Sequence, residues 1–179
     1  MINMKCRIQD MEVENKNVLL RCDFNVPYKD GKILDDSKII ASLQTIEYLV
    51  KKGAKVIILS HFGKVKKEED KENNSLAPVA VRLQELLNTK VIFSKQCRNI
   101  YLKNKINEMN PGEVILLENT RFEDVPNKLE SGNDVQLSMY WADLADIYCL
   151  DAFGSAHRKH ASTYGVAKYL PAVSGFLIQ

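Results

Sequence analysis

A chain of 179 residues with 45% hydrophobic and 27% charged side chains fits one globular domain that buries its own core. Its formal net charge of +2 excludes a polyanion binder driven by bulk charge, so any anion site must come from local clustering of basic groups. No run reaches the ~18 apolar residues of a membrane span, the N-terminus lacks a signal-peptide pattern, and balanced charges without aromatics interleaved among basic residues argue against a nucleic-acid surface.

In chain order, Val18 to Asn25 begins apolar and turns polar before Pro27, which predicts a buried strand ending near Asn25. Asp36 or Ser37 is placed to cap a helix carrying Ile39, Leu43, Ile46 and Val50 on one face, with Gly53 as its stop. Lys55 to Ser60 is a second strand, followed by a Lys/Glu-rich loop from Lys64 to Asn74. Ser75 caps a helix with Pro78 in its first turn and Val79, Leu83, Leu86 and Leu87 facing inward. Val91 to Phe93 is a third strand, and a helix around Ile100 to Glu108 stops before Pro111. Glu113 to Leu117 is a fourth strand; a helix near Asp134 to Leu144 leads into a fifth, Ile147 to Leu150. This alternation predicts an α/β fold: a three-layer, doubly wound parallel sheet with helices on both faces. The tail from Leu170 to Gln179 is largely apolar, which suggests a chain that continues past Gln179. The four cysteines are scattered, without a C-x-x-C pair; Cys22 and Cys149 read as buried free thiols, which fits a reducing, cytoplasmic compartment.

Polar clusters follow four of the strands: Arg21, Asp23 and Asn25 after the first; His61 and Lys64 after the second; Glu118, Asn119 and Arg121 after the fourth; Asp151, His157, Arg158 and His160 after the fifth. Ligands of open α/β sheets bind beyond the carboxyl ends of the strands, so these clusters should border one rim, with Lys38 at the next helix start. Such basic forks suit a small ligand bearing phosphate and carboxylate. A structural alternative exists for Arg21, whose charge inside an apolar strand needs a partner that Asp23 could supply. His157-x-x-His160 has no carboxylate or cysteine spaced to complete a metal site, so no metal is expected. Neither G-x-x-x-x-G-K-[ST] nor G-x-G-x-x-G is present, so no nucleotide loop is expected here.

Val18-Leu19-Leu20-Arg21-Cys22-Asp23-Phe24-Asn25-Val26-Pro27 resembles the signature strand of phosphoglycerate kinases. Ser60-His61-Phe62-Gly63-Lys64 is similar to that family's Ser-His-Leu-Gly-Arg, Leu116 to Phe122 to its Leu-Leu-Glu-Asn-x-Arg-Phe, and Asp151 to Arg158 to its Asp-Ala-Phe-Gly-Thr-Ala-His-Arg. The resemblance implies a Rossmann-like N-terminal, 3-phosphoglycerate-binding domain over residues 1–179, with the nucleotide-binding C-terminal domain absent from this chain. It implies reversible phosphoryl transfer between 1,3-bisphosphoglycerate and ADP in glycolysis. Mg-ATP and Mg-ADP would be held by the full-length enzyme, none by this chain, which should bind substrate but be inactive alone. It implies that Asp23 and Asn25 contact the glycerate end, that His61, Lys64, Arg121 and Arg158 grip phosphate and carboxylate oxygens, and that Arg21 and His157 support the basic rim. The family's Asp-Asp-x-Arg stands here as Asp35-Asp36-Ser37-Lys38, so the catalytic position would be filled by Lys38, which keeps the charge but not the planar fork. Lys64 likewise replaces a more usual arginine. A monomer is expected by the same resemblance. A free-standing anion-binding module is the competing reading, since it needs the same basic patch.

Overall fold

A computed structural model describes residues 6–179. Its centre is a six-stranded sheet built from β1 (Asn17–Cys22), β4 (Lys55–Leu59), β5 (Val91–Ser94), β6 (Val114–Leu117), β7 (Ile147–Asp151) and β8 (Ala172–Ser174). The order across it is β5-β6-β4-β1-β7-β8, and every pairing is parallel. A two-residue hairpin, β2 (Tyr28–Lys29) with β3 (Lys32–Ile33), stands apart. The helices are α1 (Ser37–Lys51), α2 (Ala77–Leu87), α3 (Leu102–Asn107) and α4 (Val135–Ala142).

The alternation of side chains along each strand builds two cores. Val18, Leu20, Val56, Ile58, Val114 and Leu116 pack with Ile39, Ile46 and Leu49 of α1 and Val79 and Leu83 of α2. The intervening residues Leu19, Ile57, Ile115 and Tyr148 face the other way, onto Leu102 and Ile106 of α3 and Leu137 and Trp141 of α4. The strands are apolar on both faces because helices cover both, so the doubly wound architecture expected from the sequence is the one present. Cys22 and Cys149 are buried free thiols. Among the described residues, no helix is long and apolar enough to cross a membrane.

Several boundaries differ from the sequence expectation. β1 stops at Cys22 rather than near Asn25, because Asp23 Oδ1 accepts from Asn25 N at 3.1 Å and bends the chain into a turn. Asp36 occupies the N-cap of α1 without capping it; its carboxylate turns to Arg82, with Nε donating at 2.9 Å. Ser75 does not cap α2 as expected: Leu76 occupies the N-cap, and Ser75, one residue earlier, accepts from Ala77 N at 3.1 Å in a local turn. Gly53 ends α1 with a φ of 77° and donates to Val50 O at 3.1 Å, the left-handed stop that glycine adopts at little cost. The apolar tail contains β8, a sixth strand that a three-residue edge segment behind Pro171 does not announce.

The chain leaves β1 toward β4 and leaves β7 toward β8, so the two connections diverge on either side of β1 and β7. The carboxyl ends of these two neighbouring strands therefore mark a topological switch point, the place where ligands of open α/β sheets bind.

Candidate functional site

The loops beyond β1, β4, β6 and β7 are stitched together by their own polar side chains. Asn25 Oδ1 accepts from Gly63 N at 2.8 Å, tying the first loop to the second. Gly63 has a φ of 61°, and a Cβ there would collide with the Asn74 amide, so the close approach requires glycine. Asn119, fully buried, accepts from Phe62 N at 3.1 Å and donates to Asn74 O at 2.9 Å; the same Oδ1 accepts from Arg121 N at 3.0 Å. Glu118 accepts from Leu76 N at 2.8 Å and from Ser75 Oγ at 2.6 Å, and so fastens the start of α2. Glu118 and Asn119 thus shape the loops, while Arg121 is left to face outward.

The basic residues fall into two tiers. In the lower tier, Arg21 is completely buried and His61 is 7% exposed. Arg21 Nη2 contacts His61 Nδ1 at 3.0 Å. Burial lowers the His61 pKa from 6.5 to about 2, and the charges of Arg21, Arg121, Arg158 and Lys38 push it the same way. His61 is therefore neutral at physiological pH. Four cations, from β1, the first turn of α1 and the segments after β6 and β7, act on this one imidazole.

In the upper tier, Lys38, Lys64, His157 and Arg158 are exposed and Arg121 is half-buried. Lys38 Nζ lies 3.3 Å from Asp23 Oδ2. Gly154 closes on the same carboxylate: a Cβ there would stand 3.2 Å from Asp23 Oδ2. The Arg121 pKa is lowered, first by burial and then by Arg158, and its Nε is buried with no partner. A guanidinium that is desolvated, next to a like charge and short of acceptors is arranged to receive an anion.

Three sequence expectations need correction. Asp23 does not neutralise Arg21; it pairs with Lys38, because the turn at Asp23 carries its carboxylate out of the strand and toward the start of α1. Arg21 lies beneath the rim rather than on it. Asp151 does not join the rim either: its Oδ1 accepts from Leu177 N at 2.9 Å, which ties β7 to the tail. Burial raises the Asp151 pKa against the opposing hydrogen bonds of Thr45 and Leu177. Two participants went unnoticed in the sequence, Glu130 and Ser162, both buried and both bonded into the lower tier. Glu130 sits in Leu129-Glu130-Ser131-Gly132-Asn133, a run whose composition reads as a solvated loop, so nothing local marks it. Among the described residues, no group of three or more His, Cys, Asp or Glu side chains is disposed to hold a metal ion.

The fold and rim define a class: an open, parallel, doubly wound α/β domain with basic side chains gathered beyond the carboxyl ends of its strands. Comparison with known proteins narrows it. The family model described as phosphoglycerate kinase matches residues 8–179, so the chain belongs to the phosphoglycerate kinase family. It is 54% identical over 172 residues to the phosphoglycerate kinase of Macrococcus caseolyticus, covering 96% of this chain and 43% of that protein. It is 53% identical over 172 residues to that of Listeria monocytogenes, with the same coverage of 96% and 43%. Among solved structures, the phosphoglycerate kinase of Coxiella burnetii matches with a TM-score of 0.83 at 39% identity, over 96% of this chain and 42% of that one. That of Pyrococcus horikoshii matches with a TM-score of 0.84, also at 39% identity, over 97% and 43%. The chain thus spans well under half the length of the relatives it matches.

Proposed function

We propose that this chain is the 3-phosphoglycerate-binding half of a phosphoglycerate kinase, residues 1–179 forming the substrate domain. The observation that carries the reading is the crowding of Arg21, Arg121, Arg158 and Lys38 around a neutral His61, with Arg121 desolvated and short of acceptors. A glycerate bearing phosphate and carboxylate supplies the missing negative charge. Arg121, Arg158 and Lys64 would grip its oxygens, with His61 donating one further hydrogen bond and His157 adding to the basic rim. Asp23 and Asn25 would meet the glycerate end; Asn25 Oδ1 is already occupied by Gly63 N, so its amide NH₂ is the group free to donate.

In the whole enzyme the bond between phosphorus and the acyl oxygen of 1,3-bisphosphoglycerate breaks. A bond from phosphorus to a terminal oxygen of ADP forms, leaving the carboxylate of 3-phosphoglycerate. Such transfer asks the protein mainly for positioning and charge neutralisation. Lys38 would stabilise the moving phosphoryl group, and its bond to Asp23 is exposed enough to exchange for that anion. The nucleotide, as Mg-ATP or Mg-ADP, would be held by a second, C-terminal domain joined in cis. A monomeric cytoplasmic glycolytic enzyme is the setting that follows.

Titration of the 179-residue chain with 3-phosphoglycerate, followed by NMR, should shift amide signals near Arg121 and Arg158 at millimolar ligand. Unmoved signals there would overturn the substrate assignment. A coupled assay of ATP formation should show no turnover by the chain alone, and measurable turnover would overturn the assignment of the nucleotide to a second domain.

A further inference from the structure

Glu130 is completely buried, and its carboxylate does not touch the rim. Its Oε1 accepts from Ser162 N at 2.8 Å and its Oε2 from Ser162 Oγ at 2.7 Å. Having donated to Glu130, the Ser162 hydroxyl keeps a lone pair, and this accepts from Arg21 Nε at 2.9 Å. Arg21 Nη1 donates to Cys22 O, and Nη2 meets His61 Nδ1 at 3.0 Å. Ser162 is held from its other side as well, since Tyr148 Oη donates to Ser162 O at 2.8 Å. Glu130, Ser162, Arg21 and His61 therefore form one continuous buried chain of polar side chains.

The chemistry of that chain fixes the state of its last member. Guanidinium has donors only and keeps its proton, so in the contact with His61 the arginine donates and Nδ1 accepts. The single proton of the neutral ring is then on Nε2, the nitrogen left to donate to a ligand. A buried guanidinium also needs a compensating charge, and Glu130 supplies it through one hydroxyl.

We propose that Glu130 and Ser162 are positioning residues of the anion site: by orienting Arg21 they hold His61 in its neutral, Nε2-protonated form, ready to donate to the substrate phosphate or carboxylate. The role of that donor rests on the reading of the rim as the glycerate site; the orientation of His61 does not. Glu130→Gln keeps the shape but replaces one acceptor oxygen by an NH₂ group, so Ser162 N or Oγ loses its acceptor. The hydroxyl must then turn, and Arg21 Nε loses its fixed partner. Ser162→Ala removes the relay outright while leaving Glu130 in place.

Long-range ¹H–¹⁵N spectra of the imidazole of His61, recorded on the 179-residue chain, read the tautomer directly. The wild type should show protonation at Nε2 alone. Glu130→Gln and Ser162→Ala should show a mixture of the two tautomers, with affinity for 3-phosphoglycerate weakened by about tenfold or more, the scale of one charge-assisted hydrogen bond. Should Glu130→Gln fail to fold, Ser162→Ala carries both readouts. Folded variants with a wild-type tautomer overturn the positioning role whether or not 3-phosphoglycerate binds. A wild type that binds no 3-phosphoglycerate while the variants alter the tautomer removes the glycerate assignment and supports the link from Glu130 to His61.

Discussion

The lower and upper tiers of the basic cluster are both built around cations, yet they obey different physics. Below, Arg21, His61, Glu130 and Ser162 are sealed from water and every distance is set by a hydrogen bond within the protein. Above, Lys38, Lys64, His157 and Arg158 are exposed, and Lys38 is held by one ion pair with Asp23. A buried charge is costly unless paired and fully bonded, so the lower tier is part of the folded core as much as of the site. Exposed charges cost the fold little and remain free to move onto a ligand. The difference teaches a division of labour: geometry is stored where water cannot reach, and neutralising charge is delivered from where it can.

The sharpest way to break that division is to cut the lower tier. Arg21→Met should cost about 3 kcal/mol or more in urea unfolding, because it strips the buried Glu130 carboxylate of the cation it reaches through Ser162. Adding Glu130→Gln should restore part of the loss, since the stranded charge is gone; strictly additive losses in the double variant would mean that the two residues are uncoupled. The next effect is on pH. His61 is neutral in the folded chain with a pKa lowered from 6.5 to about 2, so below about pH 6.5 the unfolded chain takes up a proton that the folded one refuses. Stability should therefore fall as pH drops from 6.5, by at most about 1.4 kcal/mol per pH unit from this group. His160, also lowered by burial, adds in the same direction, whereas Asp151, whose pKa is raised, retains its proton in the folded state and opposes the trend near its own titration. His61→Gln should flatten the slope between pH 6 and 5 by nearly one proton, and an unchanged slope would place His61 outside the buried tier. The smallest effect on stability belongs to the upper tier. Arg158→Ala should change unfolding by no more than about 0.5 kcal/mol, yet weaken 3-phosphoglycerate binding by about tenfold. A large stability loss there would erase the contrast between the tiers.

Much of this was legible in the residues. The apolar runs at Val18, Val56, Val114 and Ile147 sit in strands, and Ile39, Ile46, Val79 and Leu83 face the core at helical spacing, because burial on one face leaves a periodic trace in the sequence. The polar groups follow the carboxyl ends of four strands on one side of the sheet because parallel strands all end on the same side. Less was legible where a residue's partner comes from elsewhere in the chain. Asp36 had the right identity and position for a cap, yet Arg82, 46 residues away, took its carboxylate. β8 was hidden because an edge strand of three residues carries too little alternation to be seen.

The sequence by itself therefore determined the strand and helix order, the parallel α/β class, the family resemblance and the identity of the basic residues at the strand ends. Only the tertiary structure decided which of them became scaffold and which stayed free. Asp23, two residues from Arg21, seemed the natural counter-ion, but the partner is Ser162, 141 residues away, backed by Glu130. The physical reason is that periodicity records which face of an element is buried, whereas the pairing of a buried charge depends on which loops return to the same point in space.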